Sequence, residues 1–167
     1  PNYALPFQWS VHKLESIDKK IELNDAESFL KFDDQDIERK FVEELLKVVG
    51  NHGTIFVHSA YEEKALERLK DKDNCKDLAD KIDKLIARIK DTLPIVRKNF
   101  YSPLMNGKYG VKSIINATAP SNINYDDKDG ISSGEAAGLA WFIYTDPKTS
   151  KKEKDIQRKL LIEYCSK

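Results

Sequence analysis

Glu62 is the carboxylate whose position most invites chemistry. It lies one turn beyond the apolar run Thr54 to His58, within IFVHSAYEEKALERL, and ligands of open α/β sheets sit at the carboxyl ends of strands. A carboxylate there can reach a metal ion or a substrate. The same residues also spell S-x-x-E, a capping box in which Glu62 would bond back to the Ser59 amide, and on pattern alone the cap is favoured. Ser132 with Glu135 and Ser150 with Glu153 repeat the spacing, so these glutamates read as helix starts. Asp126, Asp127 and Asp129 could offer oxygens to a divalent cation. DDKDG is equally ordinary turn chemistry, and the turn takes precedence. His12, His52 and His58 have no catalytic spacing, and no Ser or Cys stands in a nucleophile context. His58, at the end of a predicted buried strand, reads as a packed residue rather than a base.

Two stretches alternate cations with rings: Arg97-Lys98-Asn99-Phe100-Tyr101 and Lys108-Tyr109-Gly110-Val111-Lys112-Ser113. A nucleic-acid single strand suits such a surface, with cations on phosphates and rings under bases. Arg97, Lys98, Tyr101, Lys108, Tyr109 and Lys112 are the candidate contacts. A loop anchored to the core by its aromatics has the same composition, and the two readings stand evenly.

Composition bounds both ideas. The 167 residues carry 28 Lys plus Arg against 28 Asp plus Glu, so affinity for a polyanion cannot rest on bulk charge and any contact must be local. With 40% apolar and 34% charged residues, the chain is neither a disordered tail nor a membrane protein. Its longest dense apolar run, Leu139 to Tyr144, is far below the roughly 20 residues of a membrane span. The opening PNYALPFQW has no signal-peptide pattern, and a cytoplasmic location is expected. Cys75 and Cys165 are isolated, with no zinc-type or disulfide-framework spacing. A start at Pro1, inside what reads as a strand, suggests a piece of something longer.

The elements that must position these residues follow from periodicity. Residues 4–14 read as a strand and Ile21 to Leu23 as a second. A helix over 35–49 has Ile37, Phe41, Leu45 and Val48 on one face, Asp33 or Asp34 before it and Gly50 after it. Thr54 to His58 reads as a buried central strand, followed by a helix over 60–71. Leu78, Ile82, Leu85, Ile86, Ile89 and Leu93 predict a helix over 76–93 that stops before Pro94. Residues 99–129 are turn-rich and aromatic with a short helical SIINATAP, the profile of a functional loop region. Helices over 133–144 and 151–165 close the chain, the first with small residues Ala136, Ala137, Gly138 and Ala140 for close packing. This order predicts one α/β domain with a mixed sheet containing both 4–13 and 54–58.

Several segments together resemble an uncharacterised bacterial family, domain of unknown function 2779, placed beside the DEDD-type 3′-to-5′ exonucleases of RNase H-like fold. They are LPFQWSVH at 5–12, VHSAYEEKAL at 57–66, FYSPLMNGKYGVKSI at 100–114, SNINYDD at 121–127, DGISSGEAA at 129–137 and LLIEYC at 160–165. Their succession carries the resemblance. It implies an RNase H-like mixed sheet flanked by helices, and a parent protein that hydrolyses phosphodiester bonds in DNA or RNA with two Mg²⁺ or Mn²⁺ ions. DEDD enzymes hold those ions with four carboxylates: Asp-x-Glu on the first strand, one acid after a later strand, and a last Asp, in one subgroup within Tyr-x-x-x-Asp. Glu62 matches the middle acid, as Glu where Asp is usual, and Tyr164 matches the tyrosine that orients the attacking water. On this resemblance the two face one cleft. Nothing in residues 1–4 matches Asp-x-Glu, and the final Asp would fall one past Lys167. The resemblance therefore implies a fragment trimmed inside both ends of its domain, lacking its first strand, itself inactive and binding no metal tightly. The rival expectation is a non-catalytic RNase H-like scaffold for nucleic acid or protein.

Overall fold

The computed structural model describes residues 5–14, 26–32, 36–118, 130, 131 and 133–166. The chain forms two compact units, one made of Pro1–Gly50 with Asp127–Lys167 and the other of Asn51–Asp126.

The first unit is built on aromatic residues. Strands β1 (Gln8–Val11) and β2 (Glu27–Leu30) pair antiparallel with Trp9 opposite Phe29. Those two rings stack at 6.0 Å, and Phe29 meets Phe41 edge-on at 5.7 Å. Phe41 belongs to helix α1 (Ile37–Val49), which buries Ile37, Phe41 and Val42. The Trp9 indole N–H donates to the Phe41 carbonyl at 3.1 Å, so the ring that supplies apolar contact also satisfies its polar atom. The helix stops at Gly50, whose φ of 62° favours glycine and whose N–H returns to the Leu46 carbonyl.

The last two helices of the chain, α6 (Gly134–Thr145) and α7 (Lys151–Ser166), complete this unit. Ala137 and Ala140 pack on Leu161, with Phe7, Leu30, Phe32, Ile131, Trp141 and Tyr164 around them. Phe7 stacks on Trp141 at 5.4 Å, the Trp141 indole donates to the Lys31 carbonyl, and the Gln8 amide donates to the Leu161 carbonyl at 2.7 Å. Gly138 takes no part in this close approach, since a Cβ there would meet nothing within 4 Å. Both helices start with half of a capping box. Ser133 Oγ accepts the Ala136 N–H and Ser150 Oγ accepts the Glu153 N–H, while the Glu153 carboxylate takes the Gln157 amide instead of returning to Ser150. Ser132 lies outside the described residues.

The second unit is a crossover. Strands β3 (Ile55–Val57) and β4 (Ile89–Asp91) run parallel with Ile55 opposite Ile89 and Val57 opposite Asp91. Adjacent parallel strands require a long connection. Here it is α2 (Tyr61–Lys70), a 3-10 turn over Asp73–Leu78 and α3 (Ala79–Ile86). The connection buries Leu66, Leu69, Cys75, Leu78, Ile82 and Leu85. Lys70 ties its helices together at 2.7 Å from Asp83 and 2.9 Å from Glu67. The bond to Asp83, then that to Glu67, holds its ammonium above the usual lysine range. Beyond β4 come α4 (Leu93–Asn99), a 3-10 turn over Pro103–Met105 and α5 (Val111–Thr118).

Four expectations are corrected or displaced. First, the segments expected in one mixed sheet lie, among the described residues, in two separate two-stranded sheets; β1 pairs with β2, β3 pairs with β4, and no described ladder joins them. Second, the helix expected over 76–93 ends at Ile86. Ile89–Asp91 is a strand, and Pro94 opens α4 rather than closing a helix. A proline fits the first helical turn, where its missing N–H is needed by nothing. Third, β3 is not buried on both faces, for Phe56 is 72% exposed where Ile55 and Val57 are half-buried. A sheet of two strands covered on one side leaves the alternate side chain outside. Fourth, β2 at Glu27–Leu30 was not anticipated, and the strand expected at Ile21 to Leu23 falls outside the described residues. Among the described residues no helix is long and apolar enough to cross a membrane.

Ile82 is fully buried within the crossover. Ile82→Ala should cost about 2–5 kcal/mol in urea unfolding followed by circular dichroism, whereas the exposed neighbour change Lys81→Ala should stay within about 0.5 kcal/mol. Equal unfolding free energies would show that the crossover does not stabilise the chain.

Candidate nucleic-acid interface

At their carboxyl ends the parallel strands run directly into helices. The Thr92 N–H donates to the Val57 carbonyl at 2.9 Å and closes the ladder. After β3, the Ser59 hydroxyl accepts the Tyr61 N–H at 3.2 Å. After β4, the Asp91 carboxylate accepts the Leu93 N–H at 2.8 Å. The reciprocal capping box expected at Ser59 and Glu62 does not form: no bond from Glu62 to Ser59 is present among the described residues, and the Ser59 hydroxyl serves the residue two ahead. Glu62 is exposed on the first turn of α2.

His58 stands at the centre of this end. Its Nε2 is 2.8 Å from the Tyr109 carbonyl, and its Nδ1 is 2.9 Å from Thr92 Oγ1. A carbonyl only accepts, so Nε2 carries a proton and donates. Thr92 Oγ1 is also 2.9 Å from the Val57 carbonyl. With the imidazole neutral, the Thr92 hydroxyl donates to Nδ1. With it charged, Nδ1 donates to Thr92 and the hydroxyl turns to Val57. Every ring nitrogen is engaged in either state, so His58 is a structural tie, as its position suggested, and not a free base.

The chain leading to that tie is held at several points. Met105 is buried, and Asn106 and Gly107 have φ of 48° and 72°. The Lys108 N–H closes the turn on the Met105 carbonyl at 2.9 Å. Two consecutive positive φ values require the Asn-Gly pair found there. One residue later the Tyr109 carbonyl meets His58, and α5 begins after Gly110, whose carbonyl accepts the Ile114 N–H.

The cations of this segment stand apart from carboxylates. Residues 92–118 contain Arg97, Lys98, Lys108 and Lys112 and no Asp or Glu. Among the described residues none of the four makes an ion pair; Lys47, Lys64 and Lys84 make none either, so what sets this segment apart is its lack of acids. Arg97, Lys98 and Lys108 are exposed and Lys112 is half-buried. The two tyrosines divide the two readings between them. Tyr101 is 65% exposed and offers a free ring. Tyr109 is half-buried and its backbone is the anchor.

Tyr164 belongs to the first unit, half-buried against the cluster of Ala137, Ala140 and Leu161, which is the core-packing role. Glu62 belongs to the second. Asp126, Asp127 and Asp129 lie outside the described residues. Among the described residues no three His, Cys, Asp or Glu side chains are grouped to hold a metal ion. Divalent cations of the Mg²⁺ type take several oxygen ligands, so this donor set does not fit the metal pair that the exonuclease resemblance implies. Thr92 went unremarked in the sequence because its partners, Val57 and His58, are 35 and 34 positions away.

The sequence profile of the family described as Domain of unknown function (DUF2779) matches residues 1–110. The chain belongs to that family. The DUF2779 match takes in Glu62, the His58 tie and all the candidate cations except Lys112, and it stops before Tyr164. No curated protein and no solved structure matches the chain.

Thr92→Val removes the hydroxyl and strands the His58 Nδ1 in a half-buried site. It should lower stability by about 1 kcal/mol in urea unfolding, near the low end for an unsatisfied polar group; an unchanged midpoint would show that the hydroxyl contributes nothing to the fold. Calorimetric titration with Mn²⁺ should show no tight stoichiometric site, and a saturating heat at micromolar metal would mean that residues outside the described set complete one.

Proposed function

We propose that this DUF2779 chain engages single-stranded nucleic acid through residues 97–112, as the binding part of a cytoplasmic 3′-to-5′ exonuclease-like protein. One observation carries the reading: four cations without carboxylate partners among the described residues share a segment that lacks acids and has an exposed Tyr101. Cations on phosphates with a ring free to stack on a base form a binding mode tolerant of sequence. The neutral total charge does not oppose it, because the positive field is local.

The nuclease part of the proposal rests on the resemblance. An RNase H-like sheet is mixed, and the described residues carry one antiparallel and one parallel ladder in separate sheets. On the resemblance Glu62 corresponds to the middle acid and Tyr164 to the tyrosine of the last motif, and Mg²⁺ or Mn²⁺ would need carboxylates beyond the described ones. In this reading the described side chains contribute the binding of the strand. Leu104, exposed within the segment, and Ile95, exposed just before it, favour a second reading, a scaffold that docks protein, since an oligonucleotide has no need of aliphatic contacts.

Fluorescence anisotropy with a labelled single strand of about 12 nucleotides tests the proposal. Binding should be micromolar or weaker at physiological salt and should strengthen as salt falls, with about 0.7 in log–log slope for each phosphate neutralised. Replacing Lys108 and Lys112 together by Ala should reduce the slope by about 1.4. Tyr101→Ala should cost about 1–3 kcal/mol through lost stacking. No binding at low salt, or a slope indifferent to the lysines, overturns the reading in favour of the scaffold.

A further inference from the structure

We infer that His58 is a positioning residue for the basic and aromatic segment, holding Lys108 and Lys112 in place through donation from Nε2 to the Tyr109 carbonyl. The inference rests on the binding role proposed above and adds the device that orders the binding segment.

Three observations converge on it. The bond joins residues 51 apart in sequence at 2.8 Å. It lands on the residue between Lys108 and the start of α5, so it fixes the backbone that carries one cation and leads to the other. His58 follows β3 directly, and the bond of its Nδ1 to Thr92 is a separate contact on the other side of the ring. The carbonyl of Tyr109 is thereby referenced to a strand end rather than to its own loop. The Asn106-Gly107 turn defines the local path of the chain but cannot define where that path lies against the sheet. A segment ordered before binding loses less conformational entropy when it binds.

The two nitrogens can be separated by substitution. In His58→Gln the side-chain amide reaches the Nε2 position and keeps a donor for Tyr109. In His58→Asn the shorter amide reaches only the Nδ1 position and keeps the Thr92 contact. Thr92→Val removes the partner of Nδ1 and the hydroxyl beside the Val57 carbonyl, and leaves the Nε2 donor in place. Hydrogen exchange is read first, without nucleic acid, at the Lys108 amide that closes the turn and the Ile114 amide that starts α5. Both should exchange about tenfold faster in His58→Asn and remain near wild type in His58→Gln and Thr92→Val. Anisotropy with the same single strand should follow, with affinity about tenfold weaker in His58→Asn alone, the effect of one unrestrained backbone residue. Unaltered exchange in His58→Asn overturns the tie. Altered exchange with unaltered affinity overturns the positioning role. Equal loss of affinity in Thr92→Val assigns the effect to strand-end packing and overturns it as well. If His58→Asn does not fold, His58→Met, similar in length to Gln but without a donor, takes its place beside His58→Gln, and equal exchange in these two overturns the tie. A wild-type protein that fails to bind the strand, with the exchange pattern as expected, overturns the binding role while leaving the tie established.

Discussion

The parallel ladder of β3 and β4 is the constraint on which the second unit depends. Three residues on each side make a weak ladder by themselves, and parallel strands cannot be joined by a turn. Everything between them must therefore return the chain to the starting edge, and it does so by burying Leu66, Leu69, Cys75, Leu78, Ile82 and Leu85 in one apolar layer. The crossover stabilises the ladder, and the ladder places the crossover. A consequence is that both strands end side by side, with His58 and Thr92 in register to bond each other. The chemistry available at that end is set by topology before any particular loop is considered.

The first unit solves a different problem by different means. A single antiparallel pair is marginal in water, and it is braced here by rings and indole donors: Trp9 reaches α1, Phe7 stacks on Trp141 of α6, and Trp141 donates back to Lys31. Each indole N–H reaches a backbone carbonyl, so the largest side chains bury area without stranding a donor. The hairpin of α6 and α7 closes on alanines instead. Their small size lets Leu161 become fully buried, while Gly138, equally small, faces open space.

Periodicity made α1, α2, α6 and α7 legible, since each has enough turns for its pattern to rise above chance. The third helix was overextended because Ile82, Leu85, Ile86 and Ile89 continue the three and four spacing across a real boundary. A strand of three residues is too short to declare its own period of two. Pro94 was misplaced for a related reason: a proline marks a helix start or a helix end, and Asp91, whose carboxylate accepts the Leu93 N–H, was the clue to a start. Of the candidate site, the cations and rings at 97–112 were plain in the sequence. What holds them was not, because the bond from His58 to Tyr109 spans 51 residues and no local pattern encodes it. The serine motifs were half legible. Ser133 and Ser150 cap as serines do, but the glutamate three residues after Ser150 finds a partner further along its own helix.

Phe56 bears on how such a chain survives in solution. TIFVH contains no acidic residue, lysine, arginine or proline, and it is rich in residues that favour strands. Its middle ring lies outside on a strand whose only described ladder is to β4. Short segments of that composition stack readily with copies of themselves. The register sets Lys90 directly across from Phe56, exposed in the middle of β4. An ammonium beside an open apolar strand makes stacking of a second copy cost the burial of a charge, which is how natural sheets protect their edges. Lys90 thus sets a charge across from the most exposed large apolar side chain of the described residues, at a place that neither the core nor the binding segment uses.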